Sequence, residues 1–353
     1  MKILELNIKG FRSLKDVTWQ PGDLNVIIGP NGSGKSNLLR FLDLISISAQ
    51  GRLGKYIQSL GGMDAIVWDG QALVISYKFE YELSDKEQSL EAKALYEMEL
   101  ARIGQGSSYK IQKEILTFAH AVEVENEEKP DLIFRMGLQG MILSDDRRTF
   151  FVHDAALNAE ESLLSTRALG MDFNIQMLQT LLLGWRIYHD IDVSQAASLR
   201  QAAVARTERW VDSDGQNLIQ VLHTLYTENR DFKNDINAAM RAAFGDDFEE
   251  LLFPPAADNR IQMRVRWKSL KRAQSAADLS DGTLRFLLLL TILANPEPRG
   301  LIAIDEPETG LHPSMLPIIA EYAVDASRRT QVIFTTHSPQ LLYAFTGTKP
   351  TTT

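Results

Sequence analysis

The sequence predicts an α/β protein built on a parallel sheet, with an antiparallel β-rich region and a mainly helical stretch set into it. Three observations predict this. After residue 279 the order is helix 283–294, strand 301–304, helix 314–328, strand 331–335, the alternation of a parallel sheet. Near the N-terminus a short apolar strand at 24–28 runs into a glycine-rich loop at 29–34 and then a stretch with helical spacing at 36–46. Between these ends, residues 72–152 alternate apolar and polar residues in several segments, the pattern of an antiparallel sheet.

Taken in order, residues 3–9 alternate like a strand, and Leu24-Asn25-Val26-Ile27-Ile28 reads as a buried one. Leu38, Leu39, Leu42 and Ile45 then mark one face of a helix. The alternating segments are 73–83, 94–102, 108–116, 131–136 and 148–152, and the acidic run 123–129 reads as an exposed loop or hairpin tip. From about 155 to 250 the pattern is mostly helical, with breaks near 184–192 and 212–215. Pro254-Pro255 interrupts the chain, and 261–267 alternates as a strand. No internal repeat or long heptad run is present.

The 353 residues carry 37 Lys+Arg against 46 Asp+Glu, a net charge of −9, which argues against coating nucleic acid with the whole surface but leaves room for a local basic patch. The absence of cysteine excludes a disulfide framework, a thiolate zinc site, an Fe–S cluster and a cysteine nucleophile. The longest apolar runs, at 181–183 and 286–294, fall well short of the roughly 18 residues that span a bilayer. No signal-peptide pattern opens the chain, so a cytoplasmic protein without a membrane anchor is expected.

Gly29-Pro30-Asn31-Gly32-Ser33-Gly34-Lys35-Ser36 satisfies G-x-x-x-x-G-K-S/T between a predicted strand and a predicted helix. Glycines let the backbone N–H groups curl inward on phosphate oxygens, and the helix N-terminus adds partial positive charge. Lys35 reaches the β- and γ-phosphates and the Ser36 hydroxyl ligates Mg²⁺, so ATP with Mg²⁺ is the expected ligand. The strand Leu301-Ile302-Ala303-Ile304 ends in Asp305, suited to hold Mg²⁺, and Glu306, suited to polarise an attacking water. Leu279-Ser280-Asp281-Gly282-Thr283 reads both as a capped helix start and as an anion site.

Here the chain resembles the ABC-type ATPases, in which a Leu-Ser-Gly-Gly-Gln-like signature of one subunit closes over ATP bound to the other. Ser280 lies 25 residues before Asp305; Ser280 and Gly282 are kept, while Asp281 and Thr283 depart from the pattern. The resemblance implies that Ser280, Asp281 and Gly282 meet the partner's nucleotide. Glu308-Thr309-Gly310-Leu311-His312-Pro313 resembles the D-loop region, with His312 in a turn or dimer contact. Phe334-Thr335-Thr336-His337-Ser338-Pro339 resembles the switch-histidine loop, which would make His337 a sensor of the γ-phosphate. Lys9-Gly10-Phe11-Arg12-Ser13-Leu14 is similar to the opening phrase of the RecF, SMC and OLD (overcoming lysogenization defect) ATPases. That likeness implies that Arg12 and Ser13 approach the nucleotide beside Asn31, Gly32, Ser33, Gly34 and Asn37. The runs GPNGSGKSNLLRFL, ETGLHP and THSPQLL look like the same lineage. Within it, Gly184-Trp185-Arg186-Ile187-Tyr188 and Asp214-Gly215-Gln216-Asn217-Leu218 fit the stand-alone OLD-like ATPases.

The implied architecture is a P-loop NTPase of ABC-ATPase type, one domain over 1–353. Its core lobe takes 1–60 and 279–345, because residues 29–36 and 305–306 must serve one site. The β-rich region is 72–152 and the helical insertion about 155–250. The Q-loop glutamine has two candidates: Glu161-Ser162-Leu163-Leu164-Ser165, followed by Thr166 where the subgroup has Gln, and Gln139. Only 16 residues follow His337, so no Toprim nuclease domain is expected there; relatives usually continue with another strand and helix, which implies a truncated or unusually short chain. The implied function is an ATP-hydrolysing switch that dimerises on ATP and acts in DNA repair or anti-phage defence, through DNA or an effector nuclease. Two alternatives are a transporter's ATP-binding subunit and a non-hydrolysing nucleotide sensor or scaffold. Arg260, Arg264, Arg266, Lys268, Lys271 and Arg272 form the best basic cluster; its arginines read equally as a DNA-tracking strand face or a solvated one.

Overall fold

The computed structural model describes residues 2–85, 90–104, 107–119, 131–137, 139–143, 149–152, 158–165, 173–345 and 350–352. The chain opens with strands β1 (Lys2–Phe11), β2 (Leu14–Trp19) and β3 (Leu24–Ile28), then helices α1 (Lys35–Ser48), α2 (Leu53–Ser59) and α3 (Met63–Ile66). Next come β4 (Val74–Asp85), β5 (Leu90–Arg102), β6 (Tyr109–Ala119), β7 (Asp131–Met136), β8 (Gln139–Leu143), β9 (Thr149–Val152) and α4 (Phe173–Leu183). The second half runs β10 (Trp185–Tyr188), β11 (Ala203–Val204), α5 (Leu218–Glu228), α6 (Arg230–Phe244), β12 (Phe248–Leu252), β13 (Pro255–Ala256), β14 (Arg260–Ile261), β15 (Arg264–Trp267) and β16 (Gln274–Ser275). It finishes with α7 (Asp281–Leu293), β17 (Leu301–Asp305), α8 (Leu316–Ser327), β18 (Gln331–Thr336), α9 (Pro339–Ala344) and β19 (Thr351–Thr352). Two compact units result: Met1–Gly22 with Asn31–Trp185, and Asp23–Pro30 with Arg186–Thr353.

The first unit holds an eight-stranded sheet in the order β2-β1-β4-β5-β6-β7-β8-β9, antiparallel throughout. Its period-two pattern puts Ile75, Tyr77, Phe79 and Tyr81 of β4 and Tyr96, Met98 and Leu100 of β5 into the core. Helix α1 lays Phe41 on this layer, with ring centroids 5.0 Å from Phe11 and 5.4 Å from Tyr77. The predicted strands of 72–152 are present. Strand β2 and strand β8, which periodicity alone does not mark, extend the sheet. The acidic run 123–129 lies outside the described residues.

The second unit is built on a five-stranded sheet, order β10-β17-β18-β3-β19. β17, β18, β3 and β19 pair parallel. Residues 301–304 and all of β18 are buried, as expected of a parallel sheet covered on both faces. Helix α7 is buried all round from Phe286 to Leu293 and packs against α5, α6 and α8. Asn229 caps α6, its side chain accepting from Phe232 N at 2.9 Å. Asn229→Ala is expected to lower stability by about 1 kcal/mol, read from the midpoint of chemical denaturation.

The break expected near 184–192 is present and holds β10, a strand of the five-stranded sheet. One expectation is corrected. The expected strand 261–267 is two strands in two sheets: β14 pairs with β11 and β13, and β15 with β12 and β16. The chain changes sheet where Gln262 N donates to Pro254 O and Met263 O accepts from Ala276 N. Arg260 therefore does not share a strand with Arg264 and Arg266.

Candidate functional site

Strands β17, β18 and β3 lie side by side and parallel, so their C-terminal ends share one edge. In register, Asp305 pairs with Thr335, and Thr336 with Ile28. Each strand therefore delivers a loop of interest to that edge: Asp305-Glu306 from β17, His337 from β18, and Gly29-Pro30 from β3. Gly29 N donates to Thr336 O at 3.4 Å, fastening the start of the glycine loop to the strand that ends in His337. Ligands of open α/β sheets bind outside this edge.

Glu306 sits at φ 47°, a left-handed value that costs a residue with a Cβ. Its N–H donates to Thr335 O at 3.0 Å. Its carboxylate lies 3.1 Å from His337 Nδ1 and accepts from Thr309 Oγ1 at 3.4 Å. Asp305 accepts from Thr335 Oγ1, and its other oxygen lies 3.9 Å from His189 Nδ1. Thr336 Oγ1 donates to Glu308. This brings together the predicted Asp305, Glu306 and His337 and adds His189, Glu308, Thr335 and Thr336. His189 directly follows β10, a strand too short for local pattern to mark, so no strand-end signal announces it.

Helix α7 closes on the same loop. A Cβ on Gly282 would stand 2.6 Å from Gly310 O, so only glycine permits this approach. One turn on, Arg285 is held below the usual guanidinium range by burial, offset in part by Asp190, Glu306 and Glu308. Ser280 caps α7, accepting from Thr283 N at 3.1 Å. His312 caps the following 3₁₀ turn by accepting from Ser314 N, a turn role.

In the first unit, Lys35 opens α1 behind Gly34, which has φ +101°. Asn37 Nδ2 donates to Ser13 Oγ at 2.9 Å, and a Cβ on Gly34 would lie 2.7 Å from that oxygen. Arg12 has φ 46°, and its N–H donates to Ile66 O at 2.7 Å. Burial, then Arg40, lowers its guanidinium pKa. Ser13, Gly34 and Asn37 thus meet, Arg12 precedes Ser13 in the chain, and Asn31, Gly32 and Ser33 form the turn before Gly34. Ser36 in the first unit and Asp305 in the second each carry a hard oxygen, the donor type that suits Mg²⁺.

The run 161–165 is occupied structurally. Glu161 accepts from Leu53 N and Gly54 N at 3.2 and 3.3 Å. Ser162 Oγ and Leu163 N donate to the buried Glu114 at 2.7 and 2.9 Å. Burial pushes the Glu114 carboxyl up. Arg135 ties the same segment through Glu161 O and Asn158 O at 2.9 Å. Thr166 lies outside the described residues, and Gln139 stands in β8. Of the basic cluster, Arg264 donates to Gln262 Oε1 and Arg266 pairs with Glu250 at 3.6 Å, on the face of β15 opposite buried Val265 and Trp267. Lys268 follows that strand and is exposed. Among the described residues no helix is long and apolar enough to cross a membrane.

Known proteins resemble this chain in family and in fold. Residues 185–342 match the family "AAA domain, putative AbiEii toxin, Type IV TA system", and residues 1–133 match "AAA ATPase domain". An OLD nuclease of Thermus scotoductus is 48% identical over 40 residues, spanning 11% of this chain and 8% of that protein. An SMC head bound to the C-winged helix domain of ScpA superposes with TM-score 0.58 at 13% identity, covering 98% of this chain and 92% of that one. A Pyrococcus furiosus Smc head with an extended coiled coil, bound to the C-terminal domain of ScpA, gives TM-score 0.51 at 13% identity, covering 97% and 91%. The two AAA family models, each matching under half of the chain, and the short OLD nuclease match support an ABC-type ATPase of the RecF/SMC/OLD lineage, and the SMC heads share its fold.

Proposed function

We propose that the chain is an ATP-hydrolysing switch that closes as a head-to-tail homodimer over two ATP molecules. One observation carries the reading: adjacent strands bring Asp305-Glu306, His337 and the start of the glycine loop to a single sheet edge. The chain then works as one ATPase domain. Backbone N–H groups of Asn31, Gly32, Ser33 and Gly34, together with Lys35, hold the phosphates. Arg12, Ser13 and Asn37 border them. Ser36 and Asp305 would hold Mg²⁺, which when bound offsets phosphate charge. Glu306 accepts a proton from the attacking water, and His337 orients Glu306 and meets the γ-phosphate. Ser280 and Gly282 of the other protomer cover the nucleotide, with Asp281 between them.

The output is proposed to pass to DNA or to an effector nuclease, in DNA repair or anti-phage defence. The short match to an OLD nuclease supports an effector of that kind. SMC heads bound to ScpA domains support a protein partner. Arg264, Arg266 and Lys268 are the proposed DNA contact, and the cytoplasm is the proposed location. The test is ATP turnover by the purified chain: phosphate release with Mg²⁺ is expected, falling to background when EDTA removes the metal. The absence of both nucleotide binding and turnover in Mg²⁺ would refute the reading.

A further inference from the structure

Asp281 stands where the signature of related ATPases has glycine, and it places a carboxylate at a helix start that is to meet phosphate. The second unit contains an answer to that charge. Arg200 is almost wholly buried, at 3% exposure, while the Asp281 side chain is 65% exposed. The Arg200 guanidinium donates from Nε to Val193 O at 2.9 Å. From Nη1 it donates to Leu279 O at 2.6 Å, with longer contacts to Ala277 O at 3.3 Å and Ala276 O at 3.4 Å. From Nη2 it donates to Asp281 Oδ1. A single planar fork thus grips the carbonyls leading into the signature turn and the one carboxylate inside it.

We propose that Arg200 is the positioning residue of the signature turn: it fixes the backbone at 276–279 and neutralises Asp281, so that phosphate meets Ser280 and the N-terminus of α7. This inference rests on the ATP-sandwich reading above. Arginine suits the task because it stays charged when buried and its fork matches several acceptors at once. Without it, the carbonyls lose their donor, and Asp281 is left as an unpaired negative charge facing the partner's nucleotide.

The experiment is a double-mutant cycle in the Glu306→Gln background, read as the dimer dissociation constant with ATP and Mg²⁺. Arg200→Gln is expected to weaken the dimer by about tenfold to a hundredfold, the loss of charged hydrogen bonds. The ATP affinity of the isolated chain separates a lost closure from a lost fold. Adding Asp281→Gly to Arg200→Gln is expected to recover about fivefold or more, because the repulsive charge is gone. A purely structural tie would give no such rescue. Should Arg200→Gln not fold, the same cycle with Arg200→Lys decides, since lysine keeps charge but not the fork. No coupling between positions 200 and 281 in either cycle overturns the proposal. If Glu306→Gln alone stays monomeric, the sandwich reading fails and takes this inference with it. If it dimerises and Arg200→Gln leaves the dimer intact, only this inference fails.

Discussion

Glu306→Gln is expected to lower kcat by about 10²- to 10⁴-fold, the usual contribution of a general base, while ATP still binds. Glutamine keeps the shape and the hydrogen-bond reach of the side chain but cannot take a proton. The backbone at φ 47°, its N–H to Thr335 O, and the neighbouring His337 all belong to the wild-type frame that the substitution leaves in place. At 1.36 kcal/mol for each tenfold, the loss corresponds to about 3–5 kcal/mol of barrier. Steady-state phosphate release measures it. Unchanged turnover would remove Glu306 from the base role and direct attention to His189 and Glu308, two further titratable groups at this edge.

Gly34→Ala is expected to abolish measurable ATP binding without unfolding the chain. The position sits at φ +101°, where an L side chain is strained, and the new methyl would stand 2.7 Å from Ser13 Oγ. Relief requires Ser13 or the loop to shift. Either movement disturbs the Asn37–Ser13 hydrogen bond and the N–H groups that open α1. The strain is about 1–2 kcal/mol, small against global stability but large for a loop that must present several donors to one phosphate. Equilibrium binding of a fluorescent ATP analogue, with circular dichroism as the fold control, measures it. Wild-type affinity would contradict the cradle geometry.

Much of the fold is legible in the sequence because it is written in local periodicity. Strand 24–28, the glycine loop and the apolar stripe of α1 are contiguous, and so is the αβαβ run after 279. β10 is not legible in the same way. Four residues between helical stretches carry too little pattern, and only the sheet beside them reveals a strand. The alternation at 261–267 predicts one strand, since period two says nothing about which sheet a residue joins. Asp305, Glu306 and His337 could be read from strand ends. Arg200 could not: it meets Asp281 across 81 residues, and its acceptors are mostly backbone carbonyls, which no residue type announces. The Glu-Ser run at 161–165 resembles a Q-loop phrase, and its polar groups serve Leu53, Gly54 and buried Glu114, partners that no local pattern announces.

The most direct test of the switch is the solution mass of the Glu306→Gln chain by light scattering, with and without ATP and Mg²⁺. The account predicts the mass of one 39.7 kDa chain without nucleotide and of two with it. A single-chain mass under both conditions would contradict the ATP sandwich.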